Sequence, residues 1–118
     1  MCVIVAGSRN YDDYATFSGY ISRMVERNKD KKILFISGAA KTGADRLIIN
    51  YCKEHNLPCK EYPADWDNLG KGAGYARNVE MSKVATHLIA FWDGKSKGTE
   101  HMIDLAIKRR TSYYVIKI

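Results

Sequence analysis

No apolar run in this 118-residue chain is long enough to span a membrane. The apolar stretch near Met1 is too short for a signal peptide and has no basic segment before it. A cytoplasmic protein without membrane partners is therefore expected. Cysteine is scarce and odd in number: Cys2, Cys52 and Cys59 show no metal-ligand spacing and read as small core residues. The three histidines, His55, His87 and His101, are scattered and form no ligand pattern, so neither a metal nor a cofactor is expected. A P-loop is missing, because Gly43 is followed by Ala44 rather than by Lys and Ser or Thr. The G-x-G-x-x-G fingerprint is missing too, which leaves ordinary nucleoside triphosphate hydrolysis without support. There is no internal repeat, low-complexity segment or linker.

The composition that remains is ordinary for a globular protein, with 46% hydrophobic and 27% charged residues. The length suits one domain, residues 1–118. A net charge of +6 favours anionic partners without choosing among nucleotide, nucleic acid and acidic protein. The basic stretches Lys29-Asp30-Lys31-Lys32 and Lys108-Arg109-Arg110 fall at expected helix ends, where cations complement the helix dipole.

Hydrophobic periodicity alternates between strand and helix along the chain. Residues 2–6, 33–37, 59–62, 86–92 and 113–118 read as strands, the third of them weak and edge-like. Tyr14, Phe17, Ile21, Met24 and Val25 share one helix face. Ala44, Leu47, Ile48, Tyr51 and Cys52 form a cleaner stripe, which Asn56-Leu57-Pro58 terminates. Further helices are expected over about residues 75–85 and around Met102, Leu105 and Ala106. This β-α-β-α-β-α-β-α-β order predicts a Rossmann-like three-layer α/β/α sandwich with a five-stranded, mainly parallel sheet in the order 3-2-1-4-5. Pro63 to Gly74 is the one long irregular connection expected, and such loops are usually functional.

The strands end in Gly-rich polar loops, which an open α/β sheet gathers at one edge. Gly7-Ser8-Arg9 follows the first strand. Arg9 suits a phosphate or ribose contact, or a pair with Asp12 or Asp13. After the second strand comes Ser37-Gly38-Ala39-Ala40-Lys41-Thr42-Gly43-Ala44-Asp45. The N–H groups of Gly43, Ala44 and Asp45 are expected to face the crevice, where a helix start suits a phosphate. Asp45 is either a ligand contact or the acidic half of a capping box with Thr42. Trp66, beside Asp65, suits stacking on a base or serves as a lid over the core. Lys71, Arg77 and Asn78 follow around the next helix start. An Arg in a first turn is unfavourable against the helix dipole, which points to an anionic partner or to a salt bridge with Asp65 or Asp67. After the fourth strand, Trp92 leads into Gly94, Lys95, Ser96, Lys97, Gly98 and Thr99. There Thr99 can cap the last helix or donate to a phosphate.

In this order the motifs resemble the YspA-like branch of the SLOG superfamily: Gly7-Ser8-Arg9; Ser37-Gly38-Ala39 with Gly43-Ala44-Asp45; Ala64-Asp65-Trp66; Gly70-Lys71 with Ala73-Gly74 and Arg77-Asn78; and Ala90-Phe91-Trp92 with Gly94, Ser96, Gly98-Thr99 and Met102-Ile103. The resemblance runs nearly end to end. It implies a Rossmann-like domain that binds a nucleotide-derived small molecule, such as an ADP-ribose derivative, for sensing or sequestration, with a place in phage–host conflict. Relatives include the LOG phosphoribohydrolases and the single-stranded-DNA-binding protein DprA, so base-releasing hydrolysis and single-stranded DNA binding stand as alternatives. The resemblance also implies a homo-oligomer assembled through helices beside the site. Hydrolases of this group carry an Arg near the start of the third helix and a Glu three residues after the Thr of a Gly-Thr pair. Arg77 matches the first position, but the second is Met102, and Glu100 is displaced from it on the helix. No catalytic residue is therefore expected. Arg77 and Glu100 are the pair to consider if the chain is an enzyme.

Overall fold

The computed structural model describes all 118 residues. Five strands, β1 (Cys2–Gly7), β2 (Leu34–Ser37), β3 (Cys59–Glu61), β4 (His87–Trp92) and β5 (Ser112–Lys117), form one sheet in the order β3-β2-β1-β4-β5. Every pairing is parallel. This is the Rossmann-like arrangement that the alternating periods predict. β1 lies in the middle, and Val3, Ile4 and Val5 are fully buried, as a strand covered on both faces requires.

Two helices cover one face. On α1 (Tyr14–Arg27), Phe17 and Ile21 are buried. On α2 (Ala44–His55), Ala44, Ile48, Tyr51 and Cys52 pack with Val3, Val5, Phe35 and Phe91. α2 stops at Asn56, whose left-handed conformation at φ 53° ends the helix before Pro58. The opposite face is covered by α4 (Ala73–Val84) and α5 (Lys97–Lys108), through Met81, Met102, Ile103 and Ala106 against Ile4, Ile36, Leu88 and Ala90. No helix is long and apolar enough to cross a membrane.

The segment expected to be irregular between Pro63 and Gly74 is largely helical. A single-turn helix α3 (Trp66–Leu69) runs into a 3-10 turn at Gly70–Gly72 and then directly into α4. Asp65 starts it: its carboxylate accepts from the backbone N–H of Asn68 at 3.3 Å and from that residue's side-chain amide at 2.9 Å. The helix expected from about residue 75 thus begins at Ala73.

Candidate functional site

The carboxyl ends of β1 and β4 are laced together. Ser8, fully buried, donates its backbone N–H to Phe91 O at 3.1 Å, and its hydroxyl accepts from Asp93 N at 3.3 Å. Asp93 in turn organises the approach to α5. One of its carboxylate oxygens accepts from both Lys95 N and Ser96 N at 2.8 Å, which holds its pKa below the usual carboxylate range. Trp92 clamps the same turn by donating its indole N–H to Ser96 O at 3.0 Å. The start of α5 is therefore fixed in place, with the hydroxyls of Ser96 and Thr99 3.2 Å apart. Ser96 is the residue before the helix, and its side chain makes no capping hydrogen bond to the first turn. Thr99 sits inside that turn rather than at the cap.

The β2 loop approaches from the other side. Ser37 donates its hydroxyl to Asp45 O at 2.7 Å and accepts from Ala39 N at 3.1 Å. Asp45 reaches back to accept from Ala40 N at 3.2 Å. The capping-box reading of Thr42 and Asp45 is corrected here: Gly43 precedes the helix, and no side chain caps it. Arg77 crosses from α4, donates from Nη1 to Gly38 O and from Nε to Asn78 Oδ1 at 2.9 Å. Asn78, buried, donates onward to Gly98 O at 3.2 Å. The chain Gly38–Arg77–Asn78–Gly98 thereby ties the β2 loop, α4 and the start of α5 into one unit.

Charge is concentrated at this junction. Burial pushes the Asp45 carboxyl above its ordinary range, and the Ala40 N–H, Arg77 and Arg9 pull against that shift. Burial also lowers Arg77, with Asp45 opposing and Arg9 adding to the effect. The salt bridges offered as alternatives for the two arginines do not form: the ion pairs of the structure are Lys29–Glu26 and Lys83–Glu80. Arg9 instead lies over the Trp66 ring, 5.9 Å from its centroid.

These elements enclose a cleft of about 430 Å³, within the usual size of small-molecule sites. Of the residues singled out in the sequence, Gly7, Ser8, Arg9, Asp45, Arg77, Asn78, Ser96, Gly98 and Thr99 line it. Trp66 stands beside it, half exposed, under Arg9. Ser37, Gly38 and Ala39 do not line it; Ser37 is hydrogen-bonded to Asp45 and Ala39, and Gly38 to Arg77. Asp65 serves α3, Lys71 and Gly94 are exposed, and Trp92 braces the turn before α5. The start of α2 does not open into the cleft as expected. Gly43, at φ 76°, packs against the Ser8–Arg9 backbone, and Gly43 and Ala44 are both buried. The helix start that faces the cleft is that of α5. Sequence reasoning passed over Asn10, Ala40, Met81 and Asp93, which also line it. Asn10 and Asp93 had a usable signal, since each follows a central strand within three residues. No cluster of three or more His, Cys, Asp or Glu side chains is placed to hold a metal ion.

The model of the YspA, cpYpsA-related SLOG family matches residues 1–68, more than half of the chain. The chain belongs to this family. A similar protein is the Gene 61 protein of Mycobacterium phage D29, 32% identical over 110 residues, covering 90% of this chain and 88% of that protein. No solved structure gives a significant match. Membership of the SLOG family points to a nucleotide-related ligand-binding role in general.

Proposed function

We propose that this SLOG protein binds a nucleotide-derived small molecule, ADP-ribose-like or another signalling nucleotide, in the cleft at the carboxyl end of the sheet. The observation that carries the reading is the convergence of Arg9, Arg77 and the start of α5 on one cleft. A phosphate there meets two guanidinium groups, the free N–H groups of the first turn of α5 and the Thr99 hydroxyl. Asp45 is an acceptor suited to ribose hydroxyls, and Trp66 offers an exposed ring for a base. With a phage protein among the relatives, the role we assign is sensing or sequestration of a nucleotide signal in phage–host conflict.

Base-releasing hydrolysis is the second reading, supported by Arg77 and Gly98-Thr99 in the cleft. Against it, Glu100 is exposed and does not line the cleft, whereas Met102 does. One experiment addresses both readings. The purified protein is analysed by native mass spectrometry and then titrated calorimetrically with nucleoside monophosphates, ADP, ADP-ribose and its cyclic isomers. Micromolar or tighter binding is expected, weakened at least about tenfold by Arg9→Ala, since one charge-assisted hydrogen bond contributes roughly 1.5–3 kcal/mol. Failure of every compound to bind overturns the proposal. Release of free base from a nucleoside monophosphate, lost in Arg77→Ala, replaces it with the enzymatic reading.

A further inference from the structure

The two edges of the sheet are treated differently. β3 is three residues long, and Lys60 and Glu61 are exposed on it, which are features that discourage further strand pairing. β5 is twice that length and carries Tyr113, Tyr114, Val115 and Ile116 in succession, with no proline and no charge before Lys117. Tyr113 is 50% and Tyr114 62% exposed, and Val115 is exposed as well. A long apolar edge of high β propensity, left unprotected, is a template for another strand.

The backbone says which groups are available. Ile118 donates its N–H to Trp92 O at 3.0 Å, so residue 118 faces β4. Alternation along a parallel strand then turns the N–H and C=O of residues 112, 114 and 116 toward β4 as well. Those of Tyr113, Val115 and Lys117 point outward. None of these three amides has a partner in the turns and loops of the chain.

Side-chain alternation completes the picture. Tyr114 pairs with Ile89 and Ile116 with Phe91, which places both on the α1 face of the sheet. Tyr113 pairs with Leu88 and Val115 with Ala90, on the α5 face. A groove of about 380 Å³ between α1 and β5, with Tyr20, Met24, Tyr114 and Ile116 in its walls, extends the apolar surface on the α1 face.

We infer that β5 pairs antiparallel with β5 of a second copy of this chain, making one continuous ten-stranded sheet. The strand is self-complementary about a two-fold axis at Val115. Val115 then faces its own mate, and Tyr113 faces Lys117 on both sides, so that all three outward residues of each copy exchange hydrogen bonds. On the other face Tyr114 meets Ile116 twice, giving aromatic–aliphatic cross-strand pairs. A two-fold axis normal to the sheet keeps each face on its own side, so α5 lies beside its mate, and the exposed Ile107 of α5 adds to that apolar surface. The nucleotide cleft, built on the carboxyl ends of β1 and β4, keeps its own residues in this dimer.

The test combines sedimentation velocity over a range of concentrations with amide hydrogen exchange resolved by NMR. A concentration-dependent dimer is expected. In dilute monomer the amides of Tyr114 and Ile116 are protected and those of Tyr113, Val115 and Lys117 exchange freely. In concentrated samples all five are protected. Val115→Pro removes an outward N–H that the fold itself does not use, and it abolishes the dimer while leaving the circular dichroism spectrum intact. Tyr114→Lys, which keeps the backbone unchanged, weakens the dimer at least about tenfold. A protein that stays monomeric into the millimolar range overturns the inference. So does a dimer in which the alternating exchange pattern of β5 persists.

Discussion

Gly43→Ala and Gly94→Ala form a matched pair, because both positions need a positive φ but only one is crowded. Gly94 has φ 81° and no neighbouring heavy atom within 4 Å of an added Cβ. Alanine there meets only the left-handed penalty of about 1–2 kcal/mol, partly offset by about 0.4–1 kcal/mol from a stiffer unfolded chain. The net loss is roughly 1 kcal/mol. Gly43 combines φ 76° with ψ −163°, a region that other residues enter only at roughly 1–3 kcal/mol. Its added Cβ also meets backbone atoms, Ser8 O and, at 2.7 Å, Arg9 Cα. Backbone cannot swing aside as a side chain can, so an overpacking term of about 1–3 kcal/mol is added. The expected loss is therefore roughly 2–5 kcal/mol, against roughly 1 for Gly94, by the same bookkeeping. For a chain of this length that is a fall in Tm of about 8–20 °C against about 4 °C. Thermal unfolding followed by circular dichroism reads the difference, and urea titration checks that the slope with denaturant is unchanged. Equal losses at the two positions would refute the packing of Gly43 on the β1 loop. They would reopen the start of α2 as a wall of the cleft.

Asn78→Ala strands Arg77 Nε–H and removes the tie to Gly98 O, and leaving a buried polar group without its partner costs roughly 1–3 kcal/mol. Chemical denaturation should show that loss together with weaker nucleotide binding, whereas a neutral substitution would mean that the tie between α4 and α5 contributes nothing. Asp45→Asn tests the burial of that carboxylate. Because the folded protein raises its pKa, ionised Asp45 works against folding, so stability falls as pH rises from the ordinary carboxylate range through the raised value. The variant should gain Tm relative to the native protein at neutral pH, with the gap closing in acid. A gap that widens in acid contradicts the assignment. Trp66→Ala removes a half-exposed ring and should change stability by less than about 0.5 kcal/mol, as surface substitutions do. It should also weaken compounds bearing a purine base more than ribose phosphate alone. Equal effects on both would remove Trp66 from the base subsite.

The order of the sheet was legible because the period of hydrophobicity changes at each element and right-handed crossovers leave few alternatives. The cleft was legible in part, since loops at the ends of adjacent parallel strands must meet. Which helix start faces it was not. The β2 and β4 loops read alike in sequence, and the choice depends on Gly43 burying itself against Ser8 and Arg9, a contact between segments 34 residues apart that no local pattern encodes. The bracing role of Trp92 is hidden for a related reason: its indole N–H donates to Ser96 O, a contact that an aromatic at a strand end does not announce in sequence. The short helix after Asp65 escaped because one turn is too brief to show a period, although its Asp cap was visible.

The position of the carboxylates decides what chemistry the cleft can support. On α5 the residues one and three after Thr99 lie on nearly opposite sides of the helix, so Glu100 faces solvent while Met102 is buried in the floor of the cleft. Two acids reach the cleft: Asp93, whose carboxylate is tied to the N–H groups of Lys95 and Ser96, and Asp45. Asp45 comes from the opposite wall, accepts from Ala40 N–H and lies within the field of Arg77, Arg9 and Arg46. Its raised pKa suits a group that shares a proton or a hydroxyl with a bound ligand. Arg9 and Arg77 provide the positive field in the cleft. An anionic ligand that touches the arginines alone raises the Asp45 pKa further, and its binding therefore strengthens as pH falls. A ligand whose hydroxyls donate to Asp45 stabilises the carboxylate, and its binding strengthens as pH rises. The sign of that pH dependence separates a phosphate lodged at the arginines from a ribose lodged on Asp45, using the native protein and no substitution.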